Sequence, residues 1–284
     1  MSLPKNIFDT INIPFGIWRR RVANTVVMRD NHYHDSYEIY YLLEGERYYF
    51  IKNRTYHVMK GDLVFIKTYD IHQTMDTDNP IHERILINFK EEFIMNMVKD
   101  FPDLDVFSCF HQDINIIRLN VSEQDTVETL LTRMLAENKK NPLGYQTSLK
   151  LLLCELLVFI NRYIAQNPEH RFEYPNPLHK KVSDIVSYIN THYMENVTLE
   201  HLSSLFYISS FYLSRVFKNV TGFTFVEYLN SIRIKEAQRL LRESGLKVTT
   251  VAERVGYEST THFGRVFKAS TGLSPLQYRK KFSL

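Results

Sequence analysis

The sequence predicts a multidomain α+β chain: a barrel of short β-strands, a helical segment behind it, and an all-α domain at the end. Three observations carry this expectation. Residues 18–89 hold closely spaced runs rich in Tyr, Phe, Val and Ile; beyond residue 125 the apolar period lengthens to that of a helix; and the last hundred residues contain one helical unit twice. With 284 residues, 44% hydrophobic and 24% charged, the chain can build two ordinary cores.

The strand runs are Tyr37–Leu43, Arg47–Ile51, Thr55–Met59, Asp62–Ile66 and Arg84–Phe89. Turn signals separate them: Glu44-Gly45-Glu46, Lys52-Asn53-Arg54, Lys60-Gly61-Asp62 and Asp78-Asn79-Pro80. Asp125–Asn138 then sets Val127, Leu130, Leu131, Met134 and Leu135 on one helical stripe. Tyr145–Tyr163 repeats the pattern with Leu149, Leu152, Leu153, Leu156, Leu157 and Ile160. Both helices are expected to cover the barrel, and the second, apolar on more than one face, is also a candidate dimer seam. The division expected is 1–115 for the strand-rich domain, 116–166 for the helical dimerisation segment, 167–179 for a linker and 180–284 for the helical domain. The linker, NPEHRFEYPNP at its core, holds three of the nine prolines.

The repeat has an offset of 50 residues. Arg215-Val216-Phe217-Lys218 recurs as Arg265-Val266-Phe267-Lys268, Thr221-Gly222 as Thr271-Gly272, Ser209 as Ser259, Tyr207 as Tyr257 and Tyr228 as Tyr278. Each copy reads as helix, tight turn, helix. Thr198 caps the first helix of copy one; Thr249 or Thr250 is expected to cap that of copy two, and Gly256 allows the sharp turn. In the second helices, Leu213, Val216 and Phe217, then Phe263, Val266 and Phe267, fall on an inward stripe. Phe211, Ser214 and Arg215, and Thr260, Thr261, Gly264 and Arg265, therefore point elsewhere. Small polar residues around one Arg suit an element lying in the major groove of duplex DNA, where Arg can donate two bonds to a guanine edge. Lys218 and Lys268 are the recurring phosphate candidates. A connecting helix, Phe225 to about Glu243, spans about 28 Å at 1.5 Å per residue, close to the spacing of successive major grooves. Its Arg233, Lys235, Arg239 and Arg242 are further phosphate candidates.

Charge agrees with this reading. Residues 180–284 hold 15 Lys and Arg against 8 Asp and Glu, whereas residues 1–179 hold 20 against 24. A polyanion partner is expected for the C-terminal part only.

Residues 182–281 resemble the AraC/XylS family of bacterial transcription regulators over the whole DNA-binding domain. The stretch Ala252-x3-Gly256-Tyr257-x-Ser259-x3-Phe263-x-Arg265-x-Phe267-Lys268-x3-Gly272-x-Ser274-Pro275-x2-Tyr278-Arg279 is similar to that family's signature without a gap, apart from His262, where an aromatic is more usual. By position, the resemblance assigns one half-site to Phe211, Ser214 and Arg215 and the other to Thr260, Thr261 and Arg265.

In the strand-rich part, His32, His34 and Glu38 followed by Gly45 resemble a first cupin motif. Gly61 to His72 resembles the second, with Lys67 and Tyr69 in place of its usual proline and glycine. The barrel is thus expected to be cupin-like, as sensor domains of this family often are. In metal-binding cupins the positions of His32, His34, Glu38 and His72 are ligands. The expectation favours these residues as contacts to a small effector, a carbohydrate among the candidates, with Trp18, Tyr40 or Tyr49 stacking on it; no cofactor is expected.

Cys109 and Cys154 have neither metal nor disulfide spacing. The N-terminal MSLPKNIFDT lacks an apolar signal core, and Leu149–Ile160 is too short to cross a bilayer. The expected whole is a cytoplasmic, homodimeric, effector-controlled DNA-binding regulator with no membrane partner, engaging RNA polymerase if it activates. A metal-dependent cupin enzyme tethered to DNA and an architectural DNA binder are the alternatives; the His32, His34 and Glu38 set is the sole support of the first, and the second has no need of a separate β-plus-helix domain.

Overall fold

A computed structural model describes residues 13–23, 33–99, 103–167 and 174–282. The N-terminal part is a two-layer β unit. One sheet has five antiparallel strands: β1 (Phe15–Val22), β2 (Tyr37–Glu44), β5 (Asp62–Ile66), β7 (His82–Phe89) and β8 (Ile116–Arg118), in the order β1-β7-β2-β5-β8. The other has β3 (Glu46–Ile51), β4 (Arg54–Met59) and β6 (His72–Asp76), in the order β4-β3-β6.

Side chains alternate across each strand, and the register shows what each face buries. Ile17, Ile87, Ile39 and Phe65 form one row on the outer face of the large sheet; Trp18, Leu86, Tyr40 and Val64 form the next row on its inner face. The outer face packs against α2 (Val121–Lys140) and α3 (Tyr145–Gln166), whose apolar stripes complete the first core. The inner face meets Tyr49, Ile51, Tyr56 and Val58 of the small sheet in a second core.

The strands form two sheets rather than one closed barrel. Among the described residues, no ladder joins the edge strands β1 and β8 to β4 and β6. Inward tyrosines fill the space between layers, and helices cover the outer face of the small sheet. Three strands escape the sequence reading in whole or part. β1 starts at Phe15; β6 is short and polar; β8, three residues long, lies past residue 115, where the boundary was expected. A short helix α1 (Glu92–Val98) follows β7.

The C-terminal part holds α4 (Pro177–His192), α5 (Leu199–Leu205), α6 (Ser210–Thr221), α7 (Phe225–Glu243), α8 (Val248–Arg254), α9 (Thr260–Thr271) and α10 (Pro275–Phe282). Helix α4 begins inside the expected linker, with Asn176 capping it and Pro177 in its first turn, where a missing N–H costs nothing. Two cores divide this region. The first joins α4, α5, α6 and the start of α7; the second joins the rest of α7 to α8, α9 and α10.

The first of these cores also takes in Phe50 and Ile71 from the β unit. Phe50 meets Phe223 and Tyr228 edge-on at 6.1 and 5.8 Å. Thr55 donates to the Val220 carbonyl at 2.9 Å, and Asn53 donates to Ser187 Oγ at 3.0 Å. The outer face of the small sheet is thus a docking surface for the helices.

Candidate nucleic-acid interface and effector site

Helices α5 and α6 form the first helix-turn-helix unit. Thr198 accepts from the His201 amide to start α5, and Ser209 accepts from the Tyr212 amide to start α6. Gly222, at φ +80°, ends α6. The second unit repeats this: Ser259 accepts from the His262 amide at the start of α9, and Gly272 ends it. Helix α8 differs from the expectation. It starts at Val248 after Lys247, so Thr249 and Thr250 lie in its first turn, where neither is the cap. Val248, ahead of both threonines, packs against the second core from the first turn of the helix.

The turns also show that the repeat changes offset. Phe206 N bonds to Leu202 O and Ile208 N to Ser203 O; Val255 N bonds to Val251 O and Tyr257 N to Ala252 O. Before the turn the offset is therefore 49, and after it 50, with Glu258 the extra residue. Tyr207 corresponds in structure to Gly256, not to Tyr257, and both sit at positive φ, +52° and +86°. Tyr257 is buried where Tyr207 is 93% exposed.

Leu213, Val216, Phe217, Phe263 and Phe267 are buried, and Val266 is half-buried. All eight predicted contact residues are exposed: Phe211, Ser214, Arg215 and Lys218 on α6, and Thr260, Thr261, Arg265 and Lys268 on α9. The Arg215 guanidinium lies 5.5 Å from the Tyr212 ring centre, a cation–π contact that extends it along the surface. Tyr207 and Tyr212 add exposed aromatic surface beside Phe211 that the spacing did not single out.

The basic residues of α7 do not behave as the sequence suggested. Arg233 donates to the Tyr193 and Glu195 carbonyls, both at 2.8 Å, and Arg239 pairs with Glu236 and Glu243. Lys235 lies 4.0 Å from Asp70, and Arg242 donates to Tyr278 and lies over Tyr69. All four are engaged within the protein.

In the β unit, strand register assembles the second site. Glu38 on β2 lies opposite Asn88 and Ile66 on the inner face, and Tyr49 and His72 project from the small sheet toward it. Tyr49 donates to Glu38 Oε1 at 2.5 Å; Asn88, with its amide turned so that oxygen and nitrogen both find partners, donates to Glu38 Oε2 at 3.2 Å. His34 Nε2 and His72 Nε2 face the same Oε2 at 3.3 and 3.9 Å. His72 donates from Nδ1 to the Asp70 carbonyl, and His34 Nδ1 lies 2.9 Å from both the carbonyl and the hydroxyl oxygen of Ser36. The two Nε2 atoms therefore converge on one carboxylate oxygen. Burial pushes the His72 imidazole down to about 4, so it is neutral near pH 7. Burial first, then the Glu38 charge, holds the Tyr49 hydroxyl well above its ordinary range.

His34, Glu38 and His72 bring one donor atom each within 4.8 Å of one another, the one such set among the described residues. Two imidazoles and a carboxylate, with each Nδ1 held by a neighbouring oxygen, fit a transition-metal cation. His32 lies outside the described residues. Tyr40 and Tyr49 are buried and meet edge to face at 5.4 Å, so neither offers an open ring face. Trp18 is half-buried on the same inner face, its ring folded over Gly16. Cys109 and Cys154 are buried free thiols.

The fold and the two sites define a DNA-binding transcription regulator with a ligand-binding domain. Comparison with known proteins agrees part by part. Residues 20–157 match the AraC-like ligand binding domain, and residues 202–281 match a helix-turn-helix domain. The HTH-type transcriptional activator RhaS of Escherichia coli (strain K12 / DH10B) is 26% identical over 253 residues, covering 88% of this chain and 87% of that protein. The C-terminal domain of AraT, a response regulator from Geobacillus stearothermophilus, is 34% identical, covering 38% of this chain and 91% of that one, with a TM-score of 0.37. ToxT from Vibrio cholerae is 16% identical, covering 96% of this chain and 100% of that one, with a TM-score of 0.38. The chain thus carries an AraC-like ligand-binding domain followed by a helix-turn-helix domain and is homologous to RhaS. Among the described residues no helix is long and apolar enough to cross a membrane.

Proposed function

We propose that this protein binds promoter DNA in a sequence-specific manner through α6 and α9 and is controlled by a small effector held in the β unit. The observation that carries the first part is the exposure of all eight contact residues while the stripe behind them is buried. Arg215 and Arg265 read base edges, and Lys218 and Lys268 neutralise phosphates. The test is binding to a duplex that the wild-type protein selects from a random pool. Arg215→Ala and Arg265→Ala should each cost about 1–3 kcal/mol of affinity for it, with less loss on unrelated duplex. Unchanged affinity in both variants would overturn the groove assignment.

The effector site centres on Glu38, His34, His72, Tyr49, Tyr40 and Trp18. A carbohydrate suits the side chains gathered there, because hydroxyls can pair with the carboxylate and imidazoles. A thermal-shift screen of sugars tests this, since a ligand of the native state raises the melting temperature; no shift with any sugar would remove the carbohydrate reading.

A metal is the second reading, favoured by the convergence of three donors within 4.8 Å. His34, Glu38 and His72 would hold it, and it would supply a Lewis-acid anchor for an oxygen-bearing effector. Elemental analysis of protein purified without an affinity tag separates the readings: stoichiometric metal establishes it, and none removes it.

The homologous RhaS is described as an activator, and activation with RNA polymerase as partner is the matching role for this cytoplasmic protein. Helix α3 keeps Leu151 55% exposed beside its buried stripe, which supports homodimerisation through that helix. Sedimentation as a monomer at micromolar concentration would remove that element.

A further inference from the structure

The β unit does more than rest on the helices: it grips α7, the helix that joins the two recognition units. Three residues on α7, Tyr228, Lys235 and Arg242, stand seven apart on one stripe covering about 21 Å. Tyr228 donates to the Lys52 carbonyl at 2.9 Å. Lys235 lies 4.0 Å from Asp70, whose other oxygen is 3.3 Å from Lys52 Nζ. The Arg242 guanidinium lies 4.8 Å from the centre of the Tyr69 ring. Two of these grips come from adjacent residues of one turn, Tyr69 and Asp70.

That turn is wired to the effector cluster from both sides. The Tyr69 amide donates to the His34 carbonyl at 2.7 Å, and His72 Nδ1 donates to the Asp70 carbonyl at 2.7 Å. A displacement of either histidine therefore reaches Tyr69 or Asp70 through a single hydrogen bond. Tyr69 itself holds φ +62°, a conformation that L residues rarely adopt, so the turn keeps an unfavoured backbone while its ring faces α7.

We propose that Tyr69 and Asp70 are positioning residues for DNA recognition: they clasp α7, fix the relative placement of the two recognition helices, and are moved by whatever binds at His34 and His72. The clasp orders the DNA-binding surface and does not block it, because every contact residue on α6 and α9 is exposed while the clasp is closed. The closed clasp is accordingly the DNA-competent arrangement. This deepens the reading of α6 and α9 as DNA-binding helices and rests on it.

The sign of one substitution separates a clasp from simple electrostatics. Asp70→Asn removes a negative charge, which by long-range electrostatics alone strengthens binding to a polyanion; loosening a clasp weakens it. The experiment takes full-length protein and a duplex selected by the wild type from a random pool, with an unrelated duplex alongside. Asp70→Asn should weaken binding to the selected duplex about five-fold or more, the lower range of allosteric coupling, while affinity for the unrelated duplex holds or rises. Tyr69→Gly is the second variant: it removes the ring against Arg242 yet suits the positive φ, so the turn survives. It should lower the same discrimination ratio and raise hydrogen exchange in α7. Equal or tighter binding of both variants to the selected duplex would overturn the clasp. If the wild type selects no sequence at all, the DNA-binding reading fails first, and the two failures are told apart.

Discussion

Tyr207 is a residue out of place by local rules. It sits at φ +52° and is 93% exposed, so its side chain gains little to offset a left-handed backbone. The equivalent position in the second unit carries Gly256, whose added Cβ would lie 2.8 Å from the carbonyl oxygens of Met194 and Tyr193. One turn thus demands glycine for two reasons, and the other tolerates tyrosine at a cost of roughly 1–2 kcal/mol in backbone conformation. Glycine in place of Tyr207 gives part of that back to entropy. Tyr207→Gly should therefore raise stability by up to about 1 kcal/mol, seen as a higher denaturant midpoint with an unchanged slope. Gly256→Ala should destabilise by more than that, because backbone oxygens cannot swing away as a side chain can. A stabilised Gly256→Ala would show the turn to be looser than its geometry. The sequence marked Gly256 correctly and misjudged Tyr207, because matching identities at one offset hid a one-residue insertion at Glu258.

At the scale of elements, periodicity read well wherever an element buries one face against one neighbour. The stripes of α2, α3, α6 and α9 lie where spacing put them, since each faces a single core. The signal failed where an element is short or serves two neighbours. In β6, His72 and Thr74 face the effector cluster while Gln73 faces the C-cap of α6 near Gly222; with both faces buried, apolar and polar residues no longer alternate. Strand β8 pairs three residues with β5, too few to show a period. Likewise the outward stripe of α6 and α9 was legible, but the fate of the α7 arginines was not, because carbonyl partners such as Tyr193 O have no sequence signature. Separate cores make the two recognition units separately breakable. Phe267 is buried among Phe263, Tyr278 and the α7–α8 residues, away from the core that holds α6. Phe267→Ala should cost about 3–5 kcal/mol and strip hydrogen-exchange protection from α8 to α10 while α5 and α6 keep theirs. Uniform loss across both units would show one core where the packing shows two.

Across the whole molecule, charge and composition divide the chain near residue 180, yet packing draws its line elsewhere. Phe50 and Ile71 of the β unit share a core with Val186, Leu213, Phe217 and Tyr228, so the small sheet and the first recognition unit are buried against each other. The second recognition unit stands on its own core and meets the first chiefly through α7. Nothing in the sequence could reveal this, because Phe50 on a strand that alternates reads as ordinary sheet surface until its partners Phe223 and Tyr228 are known. The cooperative unit should therefore run from the sheets through α6, with α8 to α10 as the more independent part. Truncating Phe50 tests this directly, since the ring is 1% exposed and fills space between the two halves. Phe50→Ala should cost about 3–5 kcal/mol, as large core truncations do, and lower hydrogen-exchange protection in β3 and in α4 and α6 together. If protection falls in β3 alone, the halves fold independently and the shared core is a passive contact. If it falls in all three, effector control need not move whole domains: strain in a three-stranded sheet already acts on α6, the proposed reading helix.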